Sequence, residues 1–412
     1  MKRLGLRLAL ALAAALCAGE LALHLFPALL PNAYLASFPG NGTEFFHADV
    51  FARTPVEGVL LPHLAAAHHG PPPADLVELG IAPPSADDDA RAFPSIELPA
   101  DALGFPNPAL RERCELLLVG DSFGVAAGVR APEGLAAALE RTTGLAVYDL
   151  SVAGIGPVQE RWLVETRGLA LHPRAVVWLY YSGNDLTESY EPLLARRDGH
   201  TTWAEAWPER QKPLLVLPDL LARALRRPPS AAAREPLPGF LFHRADASAQ
   251  PVWFEPETLR QLGWSREQWQ AHPAWAPVQD ELRKARDACA AQGARLVLVY
   301  LPSKPEVLLP LVERDPALAR RTLAFLGNPA PPGDDGALYD ALLANRHAHE
   351  ELVRDFCTRE KVPFLSATPA LEAEAQRGEL GYLATDTHWQ SRGQTALLEP
   401  LLAFLREQGL LP

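Results

Sequence analysis

The chain carries a serine, an asparagine, an aspartate and a histidine whose chemistry would fit together. Ser122 stands in "VGDSFG", Asn184 in "YSGNDL", and Asp386 and His388 in "ATDTHWQ". A serine hydroxyl becomes nucleophilic when a histidine removes its proton and a carboxylate orients that histidine. An asparagine amide can donate a hydrogen bond to developing negative charge. These residue types are those that acyl-transfer chemistry needs.

The elements that must position these residues are alternating strands and helices. Apolar runs typical of buried strands are "ELLLVG", "LAVYDLSV", "RAVVWLYY", "ARLVLVYLP" and "VPFLSA". Helical patterns separate or follow them: "APEGLAAALERTTG", "PVQERWLVETRGLAL", "VQDELRKARDACAAQG", "LYDALLANRHAHEELVRDFCTRE" and "SRGQTALLEPLLAFLREQG". Such alternation predicts a parallel sheet of five strands with helices on both faces, a three-layer α/β/α fold.

The candidate residues follow the predicted strands at their carboxyl ends, where ligands bind in parallel α/β sheets. Gly154 in "SVAGIG" follows the second strand and could let a backbone N–H approach a ligand. Each signal is weak alone, because Gly-Asp-Ser is a common turn, a glycine or asparagine often ends a strand, and most histidines are structural. Together, in the chain order Ser, Asp, His, the four stretches are a much stronger indication.

From about Leu103 to Leu405 the sequence resembles the SGNH hydrolases, also called GDSL-type esterases and lipases. The resemblance implies a flavodoxin-like sheet, with Ser122 as nucleophile, His388 as base and Asp386 as its partner. It also implies an oxyanion hole made by the Ser122 N–H, the Gly154 N–H and the Asn184 amide. The implied activity is hydrolysis of acyl or acetyl esters, without a metal or an organic cofactor.

Two departures from the family pattern concern the third and last motifs. Gly183 directly precedes Asn184, where the family has one residue between them, and one residue rather than two separates Asp386 from His388. The stretches "LGFPNP" and "LPSKPEVLLP" and the Asp-x-His-Trp ending resemble a membrane-anchored bacterial branch. Candidate substrate contacts beside the motifs are Asp121, Asp185, Lys304 and Trp389.

Three other functions stay open. "GDSFG" also fits the Gly-x-Ser-x-Gly elbow of the α/β-hydrolases, but that elbow follows a central strand and Ser122 follows the first convincing one. "LPSKPEVLLP" and the Asp-x-His pair also resemble exported polysaccharide O-acetyltransferases, in which a sugar hydroxyl replaces water, although there the pair precedes the serine. The third alternative is an inactive envelope protein that binds the same ligand.

The composition excludes several classes of partner. The chain has 412 residues, 48% of them hydrophobic, and a net charge of -12, which repels nucleic acid. The four cysteines, Cys17, Cys114, Cys289 and Cys357, have no zinc or redox spacing and exclude a disulfide scaffold. His68-His69 and Asp87-Asp88-Asp89 are consecutive and cannot face one ion, so we expect no metal site. The expected partner is an acyl ester, a lipid or an acylated carbohydrate.

The N-terminus and the segments around the predicted sheet set the domain organisation. Lys2, Arg3 and Arg7 precede an apolar run from Leu8 to Gly19, which predicts an export signal or a retained anchor over residues 1–30. The protein is then expected in the periplasm or cell envelope. A proline-rich lead follows over 31–113, and the hydrolase domain covers 114–412.

The alternation of strands and helices lapses between about 186 and 277. This stretch contains six of the nine tryptophans: Trp203, Trp207, Trp253, Trp264, Trp269 and Trp275. We interpret it as an insertion. Its tryptophans would form either a small core that caps the sheet or an aromatic wall for an acyl chain or a sugar.

Overall fold

The structure, a computed structural model, describes residues 15–26, 51–52, 59–60, 65–69, 79, 95–126, 128–188, 215–225, 237–325 and 333–411. The chain divides into two compact units. One comprises Met1–Phe45 and Glu191–Arg234, and the other comprises Phe46–Tyr190 and Glu235–Pro412. The second unit contains every candidate residue named above.

Eleven strands form in the described residues: β1 Phe51–Ala52, β2 Val59–Leu60, β3 Ala65–His69, β4 Ser95–Pro99, β5 Leu116–Val119, β6 Val147–Asp149, β7 Ala175–Tyr181, β8 Phe240–His243, β9 Ala249–Val252, β10 Arg295–Leu301 and β11 Phe364–Ser366. Five of them form the central sheet in the order β11-β10-β7-β5-β6, and all of its pairs are parallel. This is the flavodoxin-like order, whose switch point lies between β5 and β7.

Helices in the described residues are α1 (15–25), α2 Leu135–Thr143, α3 Pro157–Leu163, α4 Val216–Leu225, α5 Pro256–Leu262, α6 Arg266–Gln270, α7 Trp275–Ala291, α8 Lys304–Leu308, α9 Pro316–Leu323, α10 Asp335–Asn345, α11 Ala348–Glu360, α12 Thr368–Gln376 and α13 Ser391–Glu407. In the second unit, α2 packs against β6, α7 against β10 and α11 against β11. None of the helices in the described parts of the chain has the length and apolar character that a membrane crossing requires.

Alternate side chains of the central strands enter two separate cores. Val177 and Leu179 of β7 belong to a core that α2, α12 and α13 share. Tyr180, between Leu179 and the end of the strand, points to the opposite face, where its hydroxyl contacts Nε2 of His349 in α11 at 3.2 Å. Because these strand residues are essentially unexposed, both faces are covered, and the fold has the three predicted layers.

The end of the predicted lead segment already contacts the sheet. The Asn107 side chain donates to the Asp149 carbonyl at 2.8 Å and accepts its N–H at 2.9 Å. This side chain thus pairs with β6, the edge strand, and satisfies backbone groups that an edge leaves open. Farther upstream, β1 pairs with β2 and β3 pairs with β4, all antiparallel; the side chains of His68 and His69, and residues 87–89, lie outside the described parts.

The described part of the tryptophan-rich stretch divides between the two units. Helix α4 lies in the first unit, whereas the β8–β9 hairpin, α5 and α6 lie in the second. Trp269 is buried and stacks on His349, with 3.9 Å between ring centroids, and Trp275 is buried against Phe356. These contacts favour the packing interpretation for both residues; Trp203 and Trp207 lie outside the described residues.

A buried carboxyl group, Glu306 in α8, joins two strand ends. It accepts hydrogen bonds from the hydroxyls of Ser182, Tyr300 and Ser303. Burial nevertheless raises its pKa from 4.5 to about 7. The folded protein therefore binds a proton that the unfolded chain releases between these two pH values.

We expect the Glu306→Gln variant to lose part of the pH dependence of stability. The contribution of Glu306 is complete below pH 4.5 and is lost as the pH rises through about 7. Between pH 5 and pH 8 the wild type should lose about 2 kcal/mol of unfolding free energy that Glu306→Gln does not lose. Urea unfolding of the wild type and Glu306→Gln at both pH values measures this difference in unfolding free energy. The Glu407→Gln variant, which changes an exposed carboxyl group, is the control. Equal pH dependence in Glu306→Gln and wild type would contradict the assignment.

Candidate active site

Ser122 lies in a tight turn directly after β5. A Cβ on Gly120 would lie 2.8 Å from the Leu179 Cβ, and one on Gly124 would lie 2.0 Å from the Ser151 Oγ. Both glycines are therefore required because the turn passes close to β7 on one side and to the loop after β6 on the other. The turn places the Ser122 hydroxyl at the switch point of the sheet.

His388 contacts both of its predicted partners. Its Nε2 lies 2.8 Å from the Ser122 Oγ, and its Nδ1 lies 2.6 Å from the Asp386 Oδ1. A carboxylate can only accept, so Nδ1 carries the proton and Nε2 is the nitrogen that can accept the serine proton. Asp386 is completely buried and His388 is 6% exposed.

The one-residue spacing between Asp386 and His388 is compatible with this geometry. The same Asp386 Oδ1 that accepts the imidazole N–H also accepts the backbone N–H of His388, at 2.8 Å. The carboxylate thus fixes the turn and the ring together, through two charge-assisted hydrogen bonds. The departure from the family spacing does not separate the two residues.

The segment that carries His388 is held by contacts on several sides. The Leu383 N–H donates to the His388 carbonyl at 2.9 Å. The Thr387 hydroxyl lies 3.0 Å from the hydroxyl of Tyr181, at the end of β7. The Phe123 ring lies 5.3 Å from the imidazole. These contacts limit the motion of the imidazole relative to Ser122.

The predicted oxyanion donors lie at the carboxyl ends of neighbouring strands of the sheet. Gly154 follows β6 with a φ of +74°, a conformation that favours glycine, and Asn184 follows β7. Within the described residues, neither the Ser122 N–H nor the Gly154 N–H donates a hydrogen bond to another protein group. Both N–H groups can therefore serve a ligand.

Carboxyl groups cluster behind the serine and the asparagine. Burial raises the pKa of Asp121 to about 6, although the Phe123 N–H and the Asn184 side chain bind it. Burial and the neighbouring Glu160 raise the pKa of Asp185 well above its usual range. Close carboxyls in a buried site cannot all ionise, so part of the cluster stays neutral near pH 7. The sequence analysis missed Glu160, whose one signal is an acid in the helix after Gly154.

Carboxyl oxygens of Asp121, Asp185 and Glu188 lie within 4.8 Å of one another, close enough to hold a metal ion. An acidic cluster does not by itself define a metal site, and we assign none here. The cluster adjoins Ser122 and Asn184 in sequence, so its negative charge would oppose an oxyanion if every member were ionised. The raised pKa of Asp185 reduces that opposition near neutral pH.

The four candidate substrate contacts are at most 2% exposed: Asp121, Asp185, Lys304 and Trp389. Each contacts protein groups instead. Asp185 accepts the Tyr181 N–H at 2.9 Å, Lys304 donates to backbone carbonyls, and the Trp389 ring packs edge-on against Phe123. All four are thus buried and engaged by protein groups in this structure.

Comparisons with known proteins give matches only among solved structures. No family model matches the chain, and no curated protein matches it. TesA is 15% identical, with 72% of this chain and 99% of TesA covered and a TM-score of 0.35. A phospholipase A1 from Streptomyces albidoflavus NA297 is 10% identical, with 71% and 99% covered and a TM-score of 0.38.

An extracellular lipase from Streptomyces rimosus is 12% identical, with 70% of this chain and 98% of the lipase covered and a TM-score of 0.37. Other matched structures are a GDSL-like lipase from Bacteroides thetaiotaomicron and an acylhydrolase from Bacteroides fragilis. The names of these matches include lipases and an acylhydrolase.

Proposed function

We propose that the protein is a serine hydrolase of the SGNH kind that cleaves carboxylic esters. The observation that carries the proposal is the continuous line of contacts from Ser122 Oγ through His388 to Asp386, at 2.8 Å and 2.6 Å. The order of the sheet supports it, because Ser122, Gly154 and Asn184 follow three adjacent strands. A serine, a histidine and an aspartate hydrogen bonded in this order, beside the carboxyl ends of the strands, can catalyse acyl transfer.

The first half of the reaction forms an acyl-enzyme. His388 Nε2 takes the proton of the Ser122 hydroxyl, and Oγ attacks the ester carbonyl carbon. The carbonyl oxygen becomes an oxyanion that the Ser122 N–H, the Gly154 N–H and the Asn184 amide bind. Asp386 stabilises the imidazolium, which then donates its proton to the departing alkoxide as the C–O bond breaks.

The second half repeats these steps with water. His388 removes a proton from a water molecule, and the hydroxide attacks the acyl carbon. The second oxyanion collapses, the Ser122 Oγ leaves and takes the proton back from His388, and a carboxylic acid is released. Every group that moves a proton belongs to the chain, so the proposed reaction is complete without a metal or an organic cofactor.

The α/β-hydrolase elbow fits the sheet less well than the SGNH assignment. Ser122 follows β5, the first strand of the central sheet in chain order. An elbow serine follows a strand that comes after several others in the chain. Asn184, on the strand next to β5, has no counterpart in the elbow motif, whereas the SGNH pattern gives it a role in the oxyanion hole.

Asn184→Ala should lower kcat by roughly 100- to 1,000-fold, because it removes one donor to the oxyanion. KM for p-nitrophenyl acetate should change little, since the amide acts mainly on developing charge. Asn184→Asp is a matched control of the same size: it replaces the donor by an acceptor and should be at least as slow. Near wild-type kcat in either variant would place the oxyanion hole elsewhere.

Hydrolysis and transfer differ only in what attacks the acyl-enzyme. The proposed hydrolase should release free acid from p-nitrophenyl esters at the same rate with and without an added sugar acceptor. If acylated sugar accumulates instead of free acid, the protein is an acyltransferase. If neither forms and a fluorophosphonate does not react, the protein is an inactive binding protein and the proposal fails.

We also propose that the protein is exported and stays attached to the cell envelope through its N-terminal segment. Helix α1 exposes large apolar side chains: Leu16, Leu21 and Leu25. Glu20, an acid within this apolar helix, accepts the backbone N–H groups of Val216 and Leu217 at the start of α4. A carboxylate is favourable at a helix N-terminus, which explains an acid in an apolar segment.

The proposed location is tested by expressing the full chain in a bacterial host and fractionating the cells. We expect the protein in the envelope fraction, with a mass that still includes residues 1–30. If the protein is found in the envelope fraction without residues 1–30, the segment is a cleaved signal peptide and not an anchor. Recovery of the intact chain in the cytosol would contradict export.

A further inference from the structure

Lys304 is a buried cation beside the segment that carries the proposed catalytic pair. It begins helix α8, directly after the loop that follows β10. Its side chain is 1% exposed. Taking an ammonium group out of water is unfavourable unless its N–H groups find acceptors, so the contacts of Lys304 show what its charge supports.

The Lys304 Nζ donates to two backbone carbonyls of the catalytic segment. It lies 3.0 Å from the carbonyl oxygen of Ala384 and 3.1 Å from that of Asp386. These residues flank Thr385, so one ammonium group joins two points of the turn. Asp386 in turn accepts both the backbone N–H and the imidazole N–H of His388. The contacts therefore run from Lys304 through Asp386 to His388.

An apolar side chain of similar length at position 304 would fill about the same space but could not donate these hydrogen bonds. The carbonyls of Ala384 and Asp386 would lose charge-assisted hydrogen bonds inside the protein. The turn could then rotate, and the Asp386 carboxylate would no longer be fixed beneath the imidazole. Since Lys304 begins the helix that follows β10 and Asp386 is 82 residues farther along the chain, this bond ties the turn that carries Asp386 to a helix next to the sheet.

We propose that Lys304 is a positioning residue for the Asp386–His388 pair. It holds Asp386 in place through the two backbone carbonyls, and it does not contact substrate. This inference rests on the proposed hydrolase function. It assigns Lys304 a role other than the substrate contact expected from the sequence, and it predicts that the effect of Lys304 on turnover passes through Asp386.

The test is a double-mutant cycle of Lys304→Met and Asp386→Ala, measured with p-nitrophenyl acetate. Lys304→Met alone should lower kcat by roughly 10- to 100-fold, because small misplacements of catalytic groups have effects of this size. KM should stay within about twofold. In the Asp386→Ala background, Lys304→Met should change kcat by less than about twofold, since the residue it positions is absent.

Two other variants keep the cycle interpretable. Lys304→Gln keeps N–H donors without the charge, so its kcat should lie between those of wild type and Lys304→Met, and it replaces Lys304→Met if that variant does not fold. Lys361→Met changes an exposed lysine at the end of α11 and should match wild type. Circular dichroism and thermal melting check that each variant is folded.

A proton NMR measurement separates this inference from the hydrolase proposal. The imidazole proton between His388 Nδ1 and Asp386 should resonate far downfield in the wild type, whether or not the protein turns over esters. It should be absent in His388→Ala and broadened by faster exchange in Lys304→Met. A wild type with this resonance but without esterase activity would refute only the proposed function.

Two results would overturn the role of Lys304. One is a folded Lys304→Met variant with kcat within about twofold of wild type and an unchanged downfield resonance. The other is a double variant whose loss in kcat is the product of the two single losses, since independent effects multiply. In that case Lys304 stabilises the fold without acting on Asp386.

Discussion

The Ser122→Ala variant is expected to lose ester hydrolysis by a factor on the order of 10⁴ or more in kcat. Alanine removes the oxygen that would form the acyl-enzyme, while the proposed oxyanion donors after β5, β6 and β7 stay in place. Residual turnover would come from those donors alone. Initial rates with p-nitrophenyl acetate at saturating concentration, near neutral pH, measure the loss.

Stability should change little in Ser122→Ala, because this half-buried hydroxyl loses only a 2.8 Å contact with His388 Nε2 and a longer one, 3.5 Å, with the Asp121 carboxylate. Ser248→Ala is a suitable control: Ser248 is an exposed serine in the turn between β8 and β9 and should keep full activity. A Ser122→Ala variant that retains more than about one tenth of the wild-type kcat would show that another residue is the nucleophile.

His388→Ala should be nearly as severe, again on the order of 10⁴-fold in kcat. Without the imidazole, the Ser122 Oγ loses the base that lies 2.8 Å away and keeps, among the described residues, only a 3.5 Å contact with the Asp121 carboxylate. Because Ser122 and His388 act as a unit, the double variant Ser122→Ala/His388→Ala should be no slower than either single variant. Losses that multiply would mean that the two residues act independently.

His243 provides the control for His388. It is 55% exposed and pairs with Glu313 at the surface, so His243→Ala should keep wild-type kcat. If His388→Ala behaves like His243→Ala, the contact between His388 and Ser122 has no catalytic role. Thermal melting of both variants shows whether a loss of activity reflects loss of fold.

The strands of the central sheet are predictable from sequence because their signal is local. Each apolar run that was predicted as a strand contains one of the five strands of the sheet. Helix bounds are less accurate. The predicted helix over "LYDALLANRHAHEELVRDFCTRE" is two helices, α10 and α11, which meet at residues 346–347. The stretch contains no proline or glycine, so no breaker residue reveals the break.

The residues that form the candidate site were identified, but the roles of their neighbours were not. Ser122, Asp386 and His388 stand at the ends of recognisable motifs, and the structure brings all three together. The roles of the surrounding residues depend on which of them are buried, and the sequence does not show this. The sequence places Lys304 of "PSK" only among the candidate substrate contacts, because a single side chain carries no sign of the turn, 82 residues away, that packs over it.

Contacts at the edge strand of the sheet are also not predictable from a local sequence pattern. The sequence analysis ended the proline-rich lead at residue 113, because the stretch before it lacks any regular period. In the structure Asn107 is hydrogen bonded to β6 through both atoms of its amide. A single asparagine that binds the backbone of an edge strand leaves no periodic pattern, so only the three-dimensional structure shows that this stretch contacts the sheet.

Fluorophosphonate labelling of the full chain, followed by peptide mass spectrometry, tests the central claim most directly. Such a reagent reacts with a serine hydroxyl that an adjacent histidine activates. We predict a single adduct on the peptide that contains Ser122, no adduct in Ser122→Ala, and much slower labelling in His388→Ala. An adduct on a different residue, or no adduct in a folded wild type, would contradict the assignment of Ser122 as the nucleophile.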